Sequence, residues 1–231
     1  FEFGVGFGWN REEMEGHGTD PRTRFERVGE SLALMKSLWE DDVASFGGEI
    51  GSLEELWLTG MHLQQYRHAT RRPESYYREA LRRDPGDSRC NSALGEWHLR
   101  RGEYEVAERH LRAALERLGL RNTNPRDGEA SYLLGLTQRL AGRPDEADAA
   151  FGKALWNGAY GPASNTARAE IAALQGRPHD ALELLDRALA ANASEPLALG
   201  LKAALLRRAG RGSEAHALVT DALAADPLDV R

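Results

Sequence analysis

The 231 residues carry 41% hydrophobic side chains, enough to bury a core, so wholesale disorder is excluded, and no run approaches the roughly 18 apolar residues that cross a bilayer. The opening Phe1-Glu2-Phe3-Gly4 is neither a secretory signal nor an initiator Met, and the single Cys90 rules out an internal disulfide or a multi-thiolate zinc site; a cytoplasmic piece of a longer reading frame is expected. Residues 1–50 hold 5 Lys/Arg against 11 Asp/Glu, so the whole net charge of −6 sits there and no part has the cationic surplus that nucleic acid demands.

Composition changes at the same place. Five of the six Phe precede residue 47, whereas Ala occurs twice up to residue 50 and 32 times after it. The seam falls near Gly47–Ser52. Before it, Phe3 to Trp9 alternates glycine with apolar residues, the pattern of a closely approached strand. Asp20-Pro21 then opens a helix with an apolar stripe of Phe25, Val28, Leu32, Met35 and Trp39. The glycines at 4, 6 and 8 lack dinucleotide-binding spacing, and the helix starts about a dozen residues too late to meet a pyrophosphate.

The words Gly4-Val5-Gly6-Phe7-Gly8-Trp9-Asn10-Arg11-Glu12-Glu13, Gly16-His17-Gly18-Thr19-Asp20-Pro21 and Leu38-Trp39-Glu40-Asp41-Asp42 resemble the luciferase-like monooxygenases. The resemblance implies that residues 1–48 are one strand, loop and helix of a (β/α)8-barrel oxidoreductase that uses flavin or deazaflavin, with Gly6–Asn10 at the catalytic rim. The other strands and the phosphate-binding loops are missing. No catalytic, cofactor-binding or metal-binding residue is therefore assigned, no cofactor is expected, and a chimeric join at 49–52 is the favoured account.

From residue 53 a period appears. The Ala-Leu pair recurs at Ala80, Ala114, Ala154, Ala188 and Ala222, at spacings of 34, 40, 34 and 34. Seven residues ahead of the last four stand Ala107, Ala147, Ala181 and Ala215, and five further upstream Gly102, Gly142, Gly176 and Gly210. A larger residue keeps phase between the alanines: Leu111, Phe151, Leu185 and Val219. Such spacing predicts helical hairpins. Each glycine ends a first helix in the left-handed conformation, and the alanines of the second helix admit its partner closely. Pro85 and Pro227 stop second helices, and hairpins must stack because none can bury its apolar face alone.

These residues resemble the tetratricopeptide repeat, with Leu94-Gly95 and Leu134-Gly135 matching the Leu-Gly pair of its first helix. The first unit offers Trp57, Ala80 and Pro85 but has Pro73 where a small residue is expected, and six extra residues fall in Leu120–Pro125. Leu56–Thr70 and Asp84–Asn91 are further similar to the repeat region of bacterial proteins that carry a sugar-associated domain. The expected fold is an all-α solenoid of about five hairpins over 53–231, behind an N-terminal βα fragment. The resemblance implies a concave face lined by first helices that receives a peptide or partner helix. By register that face includes His62, Gln65, Arg89, Glu96, Tyr132, Arg139, Glu170 and Arg207. The seven histidines contain no HExxH motif and no i,i+4 pair, so no metal site is expected. A non-catalytic interaction scaffold follows, with an inactive oxidoreductase fragment as the alternative.

Overall fold

The computed structural model describes residues 21–40, 52–67, 71–120, 122, 125 and 127–225. Among them there are eleven α-helices, two short 3-10 turns and no strand. The strand expected at Phe3–Trp9, most of the 49–52 junction, and Pro227 lie outside the described residues. The chain divides into two compact units, 1–93 and 94–231.

In the first unit, α1 (Arg24–Glu40) follows a 3-10 turn at Pro21–Thr23, so the α-helix begins three residues later than its proline suggests. Phe25 is 59% and Leu32 41% exposed, so these members of the expected apolar stripe face solvent. Helix α2 (Leu53–Gln65) starts with a capping box: Ser52 Oγ accepts from the Glu55 N–H and Glu55 accepts from the Ser52 N–H. It pairs with α3 (Pro73–Arg83), where Pro73 occupies the first helical position. The hairpin closes because Gly60 leaves room for Tyr77; a Cβ there would sit 2.4 Å from the ring. The Tyr77 hydroxyl donates to Gln64 Oε1 at 3.1 Å. Buried Glu79 is neutralised by Arg82 and Arg83, each at 2.8 Å. Helix α4 (Ser88–Arg100) begins where the Asp87 carboxylate accepts from the Cys90 N–H at 2.8 Å. Cys90 is fully buried, and burial chiefly pushes its thiol up.

The second unit holds the end of α4 and seven further helices: α5 (Tyr104–Gly119), α6 (Glu129–Leu140), α7 (Pro144–Ala154), α8 (Gly161–Leu174), α9 (Pro178–Ala191), α10 (Pro196–Arg208) and α11 (Gly212–Ala225). Gly102, Gly142, Gly176 and Gly210 have φ of 74°, 77°, 75° and 77°, in the left-handed region. After each, the next N–H reaches back five residues to the helix: Glu103 to the His98 carbonyl, Arg143 to Gln138, Arg177 to Ala172 and Arg211 to Leu206. This Schellman closure turns four first helices into their partners by one mechanism.

The phased alanines form the core. Ala107, Leu111 and Ala114, then Ala147, Phe151 and Ala154, then Ala181, Leu185 and Ala188, show no exposed surface. Gly95 and Gly135 let α4 and α6 approach, since a Cβ at either would lie 2.6 Å from Leu111 or Phe151. The last hairpin departs from expectation: Ala215 is buried, but Ala222 is only partly so and Val219 is 43% exposed. No described hairpin follows to cover them. The six extra residues expected at Leu120–Pro125 begin where α5 ends: the helix runs through Gly119 and Leu120 is its C-cap residue.

Candidate functional site

Of the residues assigned by register, His62, Gln65 and Arg89 fall in the first unit and Glu96, Tyr132, Arg139, Glu170 and Arg207 in the second. In the first unit, His62 and Gln65 are exposed on the last turn of α2, with the His62 ring 4.5 Å from Tyr66. The Arg89 guanidinium lies 5.0 Å above the Trp57 ring and 3.5 Å from Asp87. Trp57, expected only as a repeat signature, is thus a half-buried platform for a cation.

In the second unit Tyr132, Arg139 and Glu170 fall into a connected set. Tyr132 on α6 is half-buried, its ring 5.6 Å from Phe151 and 5.3 Å from Tyr160. Arg139, two turns along α6, ion-pairs with Glu170 on α8, joining two first helices by side chains assigned to one face. Glu96 pairs with Arg100 one turn along α4. Arg207 stands exposed at the end of α10, with no ion pair to the other members.

Sequence reasoning missed Tyr160, Asp127 and Glu129. Tyr160 belongs to the 3-10 turn Gly158–Tyr160, where Asn157 Oδ1 accepts from the Ala159 N–H and holds the loop. Asp127 Oδ1 accepts from the Glu129 N–H at 2.9 Å at the start of α6. Both lie in irregular segments to which a helical period assigns no face. Burial first, then the charges of Glu129, Asp127 and Glu96, pushes the Tyr160 phenol up to about 12. Burial, with Asp127 and Glu96 behind it, raises the Glu129 carboxyl as well. Tyr132 is raised mainly by burial, against a lowering contribution from Arg139. The arrangement is an aromatic pair with carboxylates gathered at one end and the Arg139–Glu170 pair at the other. It can hold a cation over aromatic rings, and no cluster of metal-ligating residues exists among the described residues.

Residues 87–155 and 166–230 each match a tetratricopeptide repeat family. Among solved structures the chain is similar to PilW, a widely conserved type IV pilus biogenesis factor, with a TM-score of 0.63 at 19% identity over 95% of this chain and 91% of that one. It is also similar to YrrB, a tetratricopeptide protein with an unusual peptide-binding site, with a TM-score of 0.59 at 16% identity over 85% and 94% of the two chains. At these identities the likeness is one of fold. An uncharacterised Mycobacterium tuberculosis protein is 39% identical over 54 residues, 23% of this chain, so the chain spans about a fifth (19%) of that curated relative's length.

Proposed function

The chain carries tetratricopeptide repeats, and on that premise we propose that it is a non-catalytic protein-interaction scaffold receiving an extended peptide or partner helix on the face its first helices line. The observation that carries this reading is the Tyr132–Tyr160 pair with Glu96, Asp127 and Glu129 around it. Register alone offered a set of mixed charge. The three loop and cap residues tip it towards acid and supply a second ring, so the partner segment is cationic with an apolar anchor. YrrB, which shares the fold, is described as binding peptide, and that supports the class of ligand.

The test is selection of peptides from a random display library on the full chain, followed by affinity measurement of the enriched sequences. Enrichment in Lys and Arg is expected, with affinity falling as salt rises and dropping several-fold in Tyr132→Ala and Glu129→Gln. Enrichment in acidic residues, or affinities untouched by both substitutions, would overturn the reading.

A second reading concerns residues 1–48 alone and rests on the sequence words that resemble luciferase-like monooxygenases. In it this segment is an oxidoreductase fragment fused to the repeats and inactive as it stands. Stoichiometric quenching of flavin mononucleotide fluorescence by the full chain would show that the fragment binds such a cofactor after all.

A further inference from the structure

The last second helix, α11, has an open side. Val219 is 43% exposed, whereas the residues in its register place, Leu111, Phe151 and Leu185, show no exposed surface. In those hairpins the first helix of the next one supplies the cover. Leu111 shares an apolar cluster with Leu133 and Leu134 of α6, Phe151 with Ala167 and Ile171 of α8, and Leu185 with Ala198, Leu201 and Leu205 of α10. On α11, Gly212, His216, Val219 and Leu223 follow at i, i+4, i+7 and i+11, one stripe of the helix, and all four are exposed.

Charge sets this helix apart from its equivalents. The stretch Ala215–Ala225 carries a single charged side chain, Asp221, where the matching stretch of α5, Ala107–Arg117, carries five. A terminal face of a repeat array needs a polar surface to stay solvated, so an apolar one marks an interaction site. The inner hairpins also hold their successors by ion pairs. Asp148, one residue after Ala147, meets Arg168, and Asp186, five residues after Ala181, meets Lys202. At those two places after Ala215, α11 has His216 and Thr220. It keeps the apolar half of the stacking interface and drops the acid.

We propose that the open side of α11 docks an amphipathic helix of a partner protein, with a small residue followed by apolar ones at +3, +4 and +7 and therefore no lysine or arginine at +4. The array's own interfaces supply that pattern. Cys90, Ala130, Ser164 and Ala198 hold the small position of four first helices with no exposed surface; α6 continues with Leu133 and Leu134, and α8 and α10 reach +7 with Ile171 and Leu205. Such spacing is that of a helix laid into an apolar groove. Among the described residues a second copy has no spare helix of this kind, because those four small residues are already buried and α2 has Glu55 there, engaged in its capping box. Residues 226–231 are half as many as the 12 of α6, the shortest first helix. The Tyr132 face shares no residue with this stripe, so the two proposals stand or fall separately.

The test follows the fluorescence anisotropy of a fluorescein-labelled peptide with the α6 sequence, residues 129–141, as the full chain is added. Saturable binding with a Kd of about 100 µM is expected, since the peptide must order on docking. The same peptide with Leu134→Lys, the residue type that α10 has at Lys202, should bind about threefold to tenfold more weakly. Val219→Asp in the full chain should weaken the unmodified peptide about tenfold or more. Thr220→Asp restores the acid found at Asp186 and should reverse the preference between the two peptides; it decides if Val219→Asp does not fold. Absence of saturation below about 1 mM overturns the proposal, and so does binding indifferent to both chain substitutions. Sedimentation equilibrium of the chain alone is expected to show a monomer. A dimer abolished by Val219→Asp would make a second copy the occupant and overturn the partner helix.

Discussion

Single side chains set how close the helices come. Ala147 and Ala181 have no exposed surface and sit in apolar clusters, Ala147 with Phe151, Ala167 and Ile171 and Ala181 with Ala169, Ala172 and Leu185, so there is nowhere for a larger group to go. Ala147→Trp or Ala181→Trp is expected to cost about 1–3 kcal/mol, read as a lowered Tm in thermal melts. Charged residues give a test with opposite signs. A hydrogen bond from Arg143, and behind it one from Arg112, holds the Glu108 carboxyl below the usual range. A lowered carboxylate stabilises the fold above its unfolded pKa, and that contribution is lost as pH falls through the folded value. Glu108→Gln should therefore lower Tm at pH 7, with the deficit shrinking as pH drops below about 4. Glu129 is raised, so its ionisation works against the fold at neutral pH. Glu129→Gln should raise Tm slightly at pH 7 and lose that gain as pH falls towards the ordinary carboxylate range, where both states are protonated. Matching melts across pH check both signs; a deficit for Glu108→Gln that persists in acid would mean lost packing instead of lost charge.

Whole helices were legible where the chemistry of their ends is local. The spacing of four glycines foretold four left-handed turns, and Pro144 and Pro178 stand at the first helical position of α7 and α9. The end of α5 was legible too: spacing located six extra residues at Leu120–Pro125, and the helix ends at Gly119, just before them. Glycines with different duties separate cleanly by substitution. Gly176 has φ of 75°, so Gly176→Ala is expected to cost about 1 kcal/mol although nothing lies within 4 Å of a new Cβ. Gly200 lies inside α10, also with open space around it, but without the strained backbone. Gly200→Ala is expected to add about 0.5–1 kcal/mol. Urea midpoints of the two variants should move in opposite directions. The site divides along the same line. Tyr132, Arg139 and Glu170 were placed by helical phase, whereas Tyr160, Asp127 and Glu129 sit in a turn and a helix entry where phase carries no information.

At the scale of the molecule, stability in a repeat array is close to a sum over hairpins and their nearest neighbours. The ion pairs follow that logic: Arg143 with Glu108, Arg168 with Asp148 and Lys202 with Asp186 each link a hairpin to the next. No long-range closure ties the ends of such an array together, so what lies before its first hairpin should matter little to its core. The described part of α1 agrees with this, since Phe25 and Leu32 of its apolar stripe are exposed instead of buried in a shared interior. The capping box at Ser52 and Glu55 gives α2 its own start, independent of residues before it. Deletion of residues 1–45 should accordingly leave the melting temperature within a few degrees of the full chain, because a lost interface worth even 1 kcal/mol would shift it by roughly 2–4 °C. Differential scanning calorimetry of the two chains under one buffer decides the matter. A fall of about 10 °C or more would show that the leading segment packs as a structural member of the array, and the chimeric account of the join would then have to be abandoned.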